Sequence, residues 1–110
     1  MNFVYSTEAD ALYIELHGTA NVVRTVEVSP SCLVDLGGAD QPVGIELIHP
    51  SRSYLDIAQV VPRWALDQWQ MAQLLAFPYQ SLTPRRRSAS SATHGRARVN
   101  SRTAELVTSG

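Results

Sequence analysis

The chain has no lysine; all nine of its basic residues are arginine. Its single cysteine, Cys32, excludes an internal disulfide and any metal site built on clustered thiols. No apolar run approaches the ~20 residues that cross a bilayer as a helix. The opening "MNFVYSTEAD" has no basic segment followed by an apolar one, so it does not read as a signal peptide. A cytoplasmic protein without a membrane segment is the expectation. There is no His-x-x-x-His or Cys-x-x-Cys spacing to frame a metal. No Gly-x-Ser-x-Gly elbow frames a nucleophile. "GGADQPVG" is followed by neither a lysine nor a helix, which excludes a phosphate-binding loop. These absences weigh against catalysis, and no cofactor is expected.

What is present falls into two parts. At 110 residues, 45% of them hydrophobic, the chain has the size and composition of one globular domain. Its net charge of −1 hides a split. Up to Tyr79 three arginines stand against nine acids, a balance of −6; from Gln80 six arginines stand against Glu105 alone, a balance of +5. Residues 80–110 are rich in Ser, Thr, Arg and Ala, hold no aromatic residue and show no periodicity. Such a segment buries too little to offset an ordering cost of roughly 1–2 kcal/mol per residue. The domain is therefore expected over 1–79, with a disordered tail over 80–110.

Residues 2–49 read as strands. In "ALYIELH" Leu12, Ile14 and Leu16 alternate with Tyr13, Glu15 and His17, the period of a strand with one buried face. "FVYS", "VVRTVEVS", "CLVDL" and "VGIELIH" behave similarly, separated by turn formers. Connections this short suit antiparallel neighbours. The expected fold is α+β: an antiparallel β-meander of four to five strands, then one or two C-terminal helices. Pro50 stops the sheet, and Ser51 or Ser53 is placed to cap a helix. Tyr54, Ile57, Ala58 and Val61 then form one helical stripe. "RWALDQWQMAQLLAF", residues 63–77, reads as a second helix that is apolar around most of its circumference.

Four groups of residues are candidates for function. Glu15, Glu27, Asp35 and Glu46 fall on the sheet face away from the helices, where they form either a solvated surface or a contact for an unknown protein partner. Trp64, Trp69, Met71, Leu75 and Phe77 either pack across the sheet or form a homodimer contact, since a body this small has little room to bury so apolar a helix. Arg85, Arg86, Arg87, Arg96, Arg98 and Arg102 either form a solvated tail or bind nucleic acid weakly and without sequence preference, through phosphate contacts. Glu8 and Asp10 either cap the turn between two strands or, with Asp35, hold a hard cation for a metal-assisted hydrolase. His17 and His49 each end a strand, which raises the question of whether they meet.

"YSTEADALYIEL", "VDLGG" and "GIEL" together resemble the YuzE-like family of small bacterial proteins, a domain of unknown function. Tyr5, Glu8, Asp10, Leu12, Tyr13 and Ile14 match its first motif, Val34 and Asp35 its second, and Gly44, Ile45 and Glu46 its third. The resemblance spans about residues 3–60 and implies no established activity. Ser6 and Gly37 stand where acids are usual, so this chain offers fewer carboxylates to a metal. Some members look like the partner components of toxin–antitoxin pairs. That implies a non-enzymatic, antitoxin-like interaction module.

Overall fold

A computed structural model describes residues 1–18, 21–85, 96–100 and 105–108, the last two ranges as backbone. Five strands build the frame: β1 (Asn2–Ser6), β2 (Ala11–Glu15), β3 (Arg24–Ser29), β4 (Cys32–Leu36) and β5 (Pro42–Ile48). A single turn α1 (Pro50–Ser53) and two helices, α2 (Ile57–Arg63) and α3 (Gln68–Ala76), follow. The expected α+β class, five antiparallel strands and then helices, is what the chain adopts.

The strand order differs from a continuous meander. The order is β3-β4-β5-β2-β1, so β5, not β3, lies beside β2. The reason lies in the connection after β2. Leu16 N–H donates to Val43 O at 2.8 Å, and Val23 N–H donates to Leu36 O at 2.7 Å. These bonds carry the chain across the ends of β5 and β4 to the far edge. β5 then returns beside β2, opposing Leu47 to Leu12 and Ile45 to Ile14.

The period-2 pattern decides which face is covered. Leu12, Ile14, Val34, Leu36, Ile45 and Leu47 have no exposed surface, and all point to the helical layer. From that layer Ile57, Val60, Leu74, Phe77 and Tyr79 pack down on them. Phe77 stacks on Phe3 with ring centroids 4.2 Å apart. The stripe Tyr54, Ile57, Ala58 and Val61 does not face the core as a unit. Ile57 and Val60 do so, while Ala58 is exposed and Tyr54 and Val61 are half-buried.

The helix starts also depart from expectation. Neither Ser51 nor Ser53 caps α1; His49, in the left-handed region at φ 55°, precedes Pro50 at the first helical position. That position costs a proline nothing, because its missing N–H would be unpaired there anyway. The run from 63 to 77 is not one helix. Ala65 takes φ 49°, which breaks the helical path. A new helix starts at Asp67, whose side chain accepts from Gln70 N–H at 2.8 Å while Gln70 Oε1 accepts from Asp67 N–H at 3.2 Å. This reciprocal capping box sets α3 at nine residues.

Past Tyr79 the chain stays on the body for several residues. Leu82 is buried at 2% exposure, and Arg85 N–H donates to Thr7 O at 3.0 Å. Residues 86–95, 101–104 and 109–110 lie outside the described residues, and the expectation of a disordered tail lies there with them. Within residues 80–110, β6 (Arg96–Asn100) pairs antiparallel with β1, and β7 (Glu105–Thr108) pairs with β6. An edge strand presents unpaired N–H and C=O groups that template such addition whatever the side chains.

Phe77→Ala is expected to cost about 3–5 kcal/mol, the range for emptying a buried aromatic site, because Phe77 is 6% exposed and stacked on Phe3. Trp69→Ala, at a side chain 79% exposed, is expected to change stability by under about 0.5 kcal/mol. Urea unfolding of the two variants checks the contrast.

Candidate functional site

Asp10 is the last residue before β2 and holds φ 50°, a conformation that Asp tolerates better than most residues. One carboxylate oxygen accepts from the Tyr5 hydroxyl at 2.6 Å, and the other lies 2.9 Å from His49 Nδ1. An ionised carboxylate only accepts, so Nδ1 carries the proton in this pair. His49 N–H also donates to Asp10 O at 2.8 Å. Asp10 thus joins the β1–β2 hairpin to the end of β5 and to the start of α1. Burial pushes the Tyr5 phenol well above its ordinary pKa, and the hydrogen bond to Asp10 and that carboxylate's charge add to the shift.

The opposite face of the sheet carries Tyr13, Glu15, Thr25, Glu27, Asp35 and Glu46, the set that alternation predicts. There Asp35 accepts from the Tyr13 hydroxyl at 2.8 Å and from the Thr25 hydroxyl at 2.6 Å. To reach it, the Tyr13 ring crosses Gly44 of β5. A Cβ on Gly44 would overlap the phenol, so this position accepts only glycine without moving the ring. Burial again comes first among the causes that raise the Tyr13 pKa, followed by the Asp35 hydrogen bond and the charges of Asp35, Glu15 and Glu46. Of the four candidate acids on this face, Asp35 is held by two hydroxyls and Glu15 lies 3.4 Å from the Asn2 amide. Glu46 is half-buried and Glu27 is exposed.

The structure does not gather the acids proposed for a metal. Asp10 bonds Tyr5 on the helix side of the sheet, and Asp35 bonds Tyr13 on the other side. Glu8 is exposed at the hairpin turn. Among the described residues there is no cluster of three His, Cys, Asp or Glu able to hold an ion. His17, 3.1 Å from Gln41, and His49 lie at opposite ends of the β2–β5 pair and do not meet. Cys32 is fully buried; burial, with the nearby Asp56 charge second, pushes its thiol up to about 11, which makes it a poor nucleophile. His49 also lines a shallow polar hollow with Ser31, Arg52, Ser53 and Asp56, where Ser29 donates to Asp56 at 2.6 Å.

The helical layer offers the other surface. The five candidate residues divide there. Phe77 is buried, and Trp64 and Met71 pack partly against the core, with the Arg63 guanidinium 4.7 Å above the Trp64 ring. Trp69 and Leu75 stand at 79% and 76% exposure, and Leu55 at 68%. Between α2 and α3 runs a groove of about 480 Å³ whose walls include Leu55, Ala58, Val61, Leu74, Leu75 and Phe77. A volume of this size lies within the range of ligand-binding clefts, about 300–1,000 Å³. Tyr79 closes its floor, donating to Leu74 O at 2.6 Å and stacking on Tyr54 at 5.5 Å. The helical stripe read from the sequence forms one wall of this groove; what the sequence did not show was that the wall stays open.

Among the tail arginines, Arg85 is tied to the hairpin through its backbone, and Arg96 and Arg98 belong to β6. Arg86, Arg87 and Arg102 lie outside the described residues. Among the described residues no helix is long and apolar enough to cross a membrane.

Residues 2–51 match the family described as "Protein of unknown function (DUF2283)". That span holds all five frame strands and both tyrosine–aspartate pairs, and it stops before the groove. No curated protein and no solved structure matches the chain.

Gly44→Ala is expected to displace the Tyr13 ring and cost about 1–3 kcal/mol, as overpacking does, measured by urea unfolding. Alkaline pH supplies a second check. Tyr5, Tyr13 and Tyr79 all have raised phenol pKa values, so folding favours their protonated forms. That stability is intact below the unfolded-state value of about 10 and falls as pH rises above it, since the unfolded chain then binds fewer protons. Phenolate absorbance of the native protein is expected to lag behind that of the urea-unfolded chain above about pH 10.

Proposed function

We propose that this domain is a non-enzymatic protein-interaction module of the cytoplasm. It offers the groove between α2 and α3, with the outward side of α3, to a protein partner. The observation that carries this reading is the exposure of Leu55 and Leu75 at one apolar groove, with Trp69 exposed on the outward side of α3. Solvated surfaces hold single apolar residues routinely, whereas a contiguous apolar patch marks an interaction site. The carboxylates that suggest chemistry are engaged elsewhere, by Tyr5 and His49 at Asp10 and by Tyr13 and Thr25 at Asp35. The antitoxin-like role implied by the YuzE-like resemblance is one such function. A partner helix with a few large apolar side chains suits the groove's apolar lining.

The test pairs the purified chain with the product of the neighbouring gene in titration calorimetry. Leu75→Glu is expected to weaken binding at least tenfold, while Glu27→Lys on the sheet face changes it less than threefold. The reverse pattern would transfer the contact to the acidic face. Heat of binding to Mg²⁺ or Mn²⁺ that Asp10→Ala abolishes would favour the metal-assisted hydrolase instead.

A further inference from the structure

We infer that the outward side of α3 is the contact between two copies of this chain, packed antiparallel about a two-fold axis that passes between Ala72 and Gln73. The inference rests on the reading of the helical layer as the interaction surface and names its occupant.

The first argument is charge. The chain up to Tyr79 carries nine acids against three arginines, so two copies repel wherever their acids approach. α3, "QWQMAQLLA", carries no charge along its nine residues. The nearest acid, Asp67, is held in the capping box with Gln70. An antiparallel arrangement also sets the two helix dipoles favourably.

The second argument is shape. At about 100° per residue, Trp69, Ala72 and Ala76 line the side of α3 opposite the buried Leu74, and all three are exposed. About an axis between Ala72 and Gln73, Trp69 of one copy faces Ala76 of the second, and the pairing repeats by symmetry. A large residue meets a small one twice, and Ala72 at the centre lets the helices approach to about 8 Å. Asp67 faces Pro78 in this register, so no acid opposes an acid. A self-complementary patch of this kind is what a two-fold dimer needs.

Area sets the strength. Trp69 at 79% exposure offers on the order of 200 Å². A stable interface needs about 800 Å² from each partner, which Trp69, Ala72 and Ala76 do not reach even with Leu75 and Leu55 at the rim of the groove. The dimer is therefore weak and reversible.

Sedimentation equilibrium of the full chain over about 5–500 μM, with circular dichroism to verify folding, tests the arrangement through four proteins: the chain itself, Trp69→Ala, Ala76→Trp, and the double variant. The chain is expected to dimerise reversibly, with Trp69 emission moving to shorter wavelength as concentration rises. Each single change is expected to weaken the dimer at least fivefold, the first by losing the large residue and the second by opposing two. The double variant exchanges large for small at each contact and is expected to return to within threefold of the parent. A parent monomeric at the highest concentration overturns the inference, as does a double variant no tighter than the weaker single. If the parent is monomeric while Leu75→Glu still abolishes binding to a purified partner, the second copy is wrong and the interaction surface stands.

Discussion

The ladder between β2 and β5 joins two pieces that are each local in sequence. β1 and β2 form a hairpin on their own, and β3, β4 and β5 form a short meander. Bringing the pieces together closes a long loop, which costs entropy before any contact forms. Leu12 against Leu47 and Ile14 against Ile45 return that cost by burying both strands completely on one side. A slip of either strand by one residue would turn its own pair, Leu12 and Ile14 or Ile45 and Leu47, to solvent. The core, the approach of α1 after β5 and the position of every acid on the open face follow from this one register.

Two tyrosine–aspartate pairs hold the register from both sides of the sheet. Tyr13 spans from β2 over β5 to Asp35 on β4, and Tyr5 reaches from β1 to Asp10 at the hairpin turn. Each aspartate takes a second donor, Thr25 in one case and His49 in the other. A half-buried carboxylate needs such partners to offset its lost hydration. The arrangement explains why acids that suggest a ligand set act here as struts. Their oxygens are occupied, and recruiting them to a metal would require breaking the bonds that align the strands.

Much of this was legible in one dimension. The alternation in "ALYIEL" and "VGIELI" gives the strands, the buried face and the acids on the other face. Strand order was not legible, because the bonds of Leu16 and Val23 that carry the chain past β5 and β4 are backbone bonds with no side-chain signature. Tyr5 and Asp10 lie five residues apart, but their partner His49 is far away in sequence and enters only through the β2–β5 register. Gly44 did carry a signal: a glycine inside an otherwise apolar strand marks a close approach. The capping box at Asp67 and Gln70 was also written in the sequence, in the Asp-x-x-Gln spacing before an apolar run. Reading 63–77 as one helix overlooked it and made that helix look apolar all round.

Once α3 is confined to Gln68–Ala76, the surplus of apolar surface is smaller and better placed. Leu74 faces the core, and Met71 is partly buried against it. Trp69 and Leu75 have no comparable work in the folded monomer, because the sheet's inner face is already covered by Ile57, Val60, Leu74, Phe77, Tyr79 and Leu82. Replacing either with a polar helix former would leave that core intact and would improve solubility. Folding therefore does not account for a tryptophan and a leucine on the outside of an uncharged helix. Contact with another protein surface, as proposed above, would account for them, because there their area is removed from water.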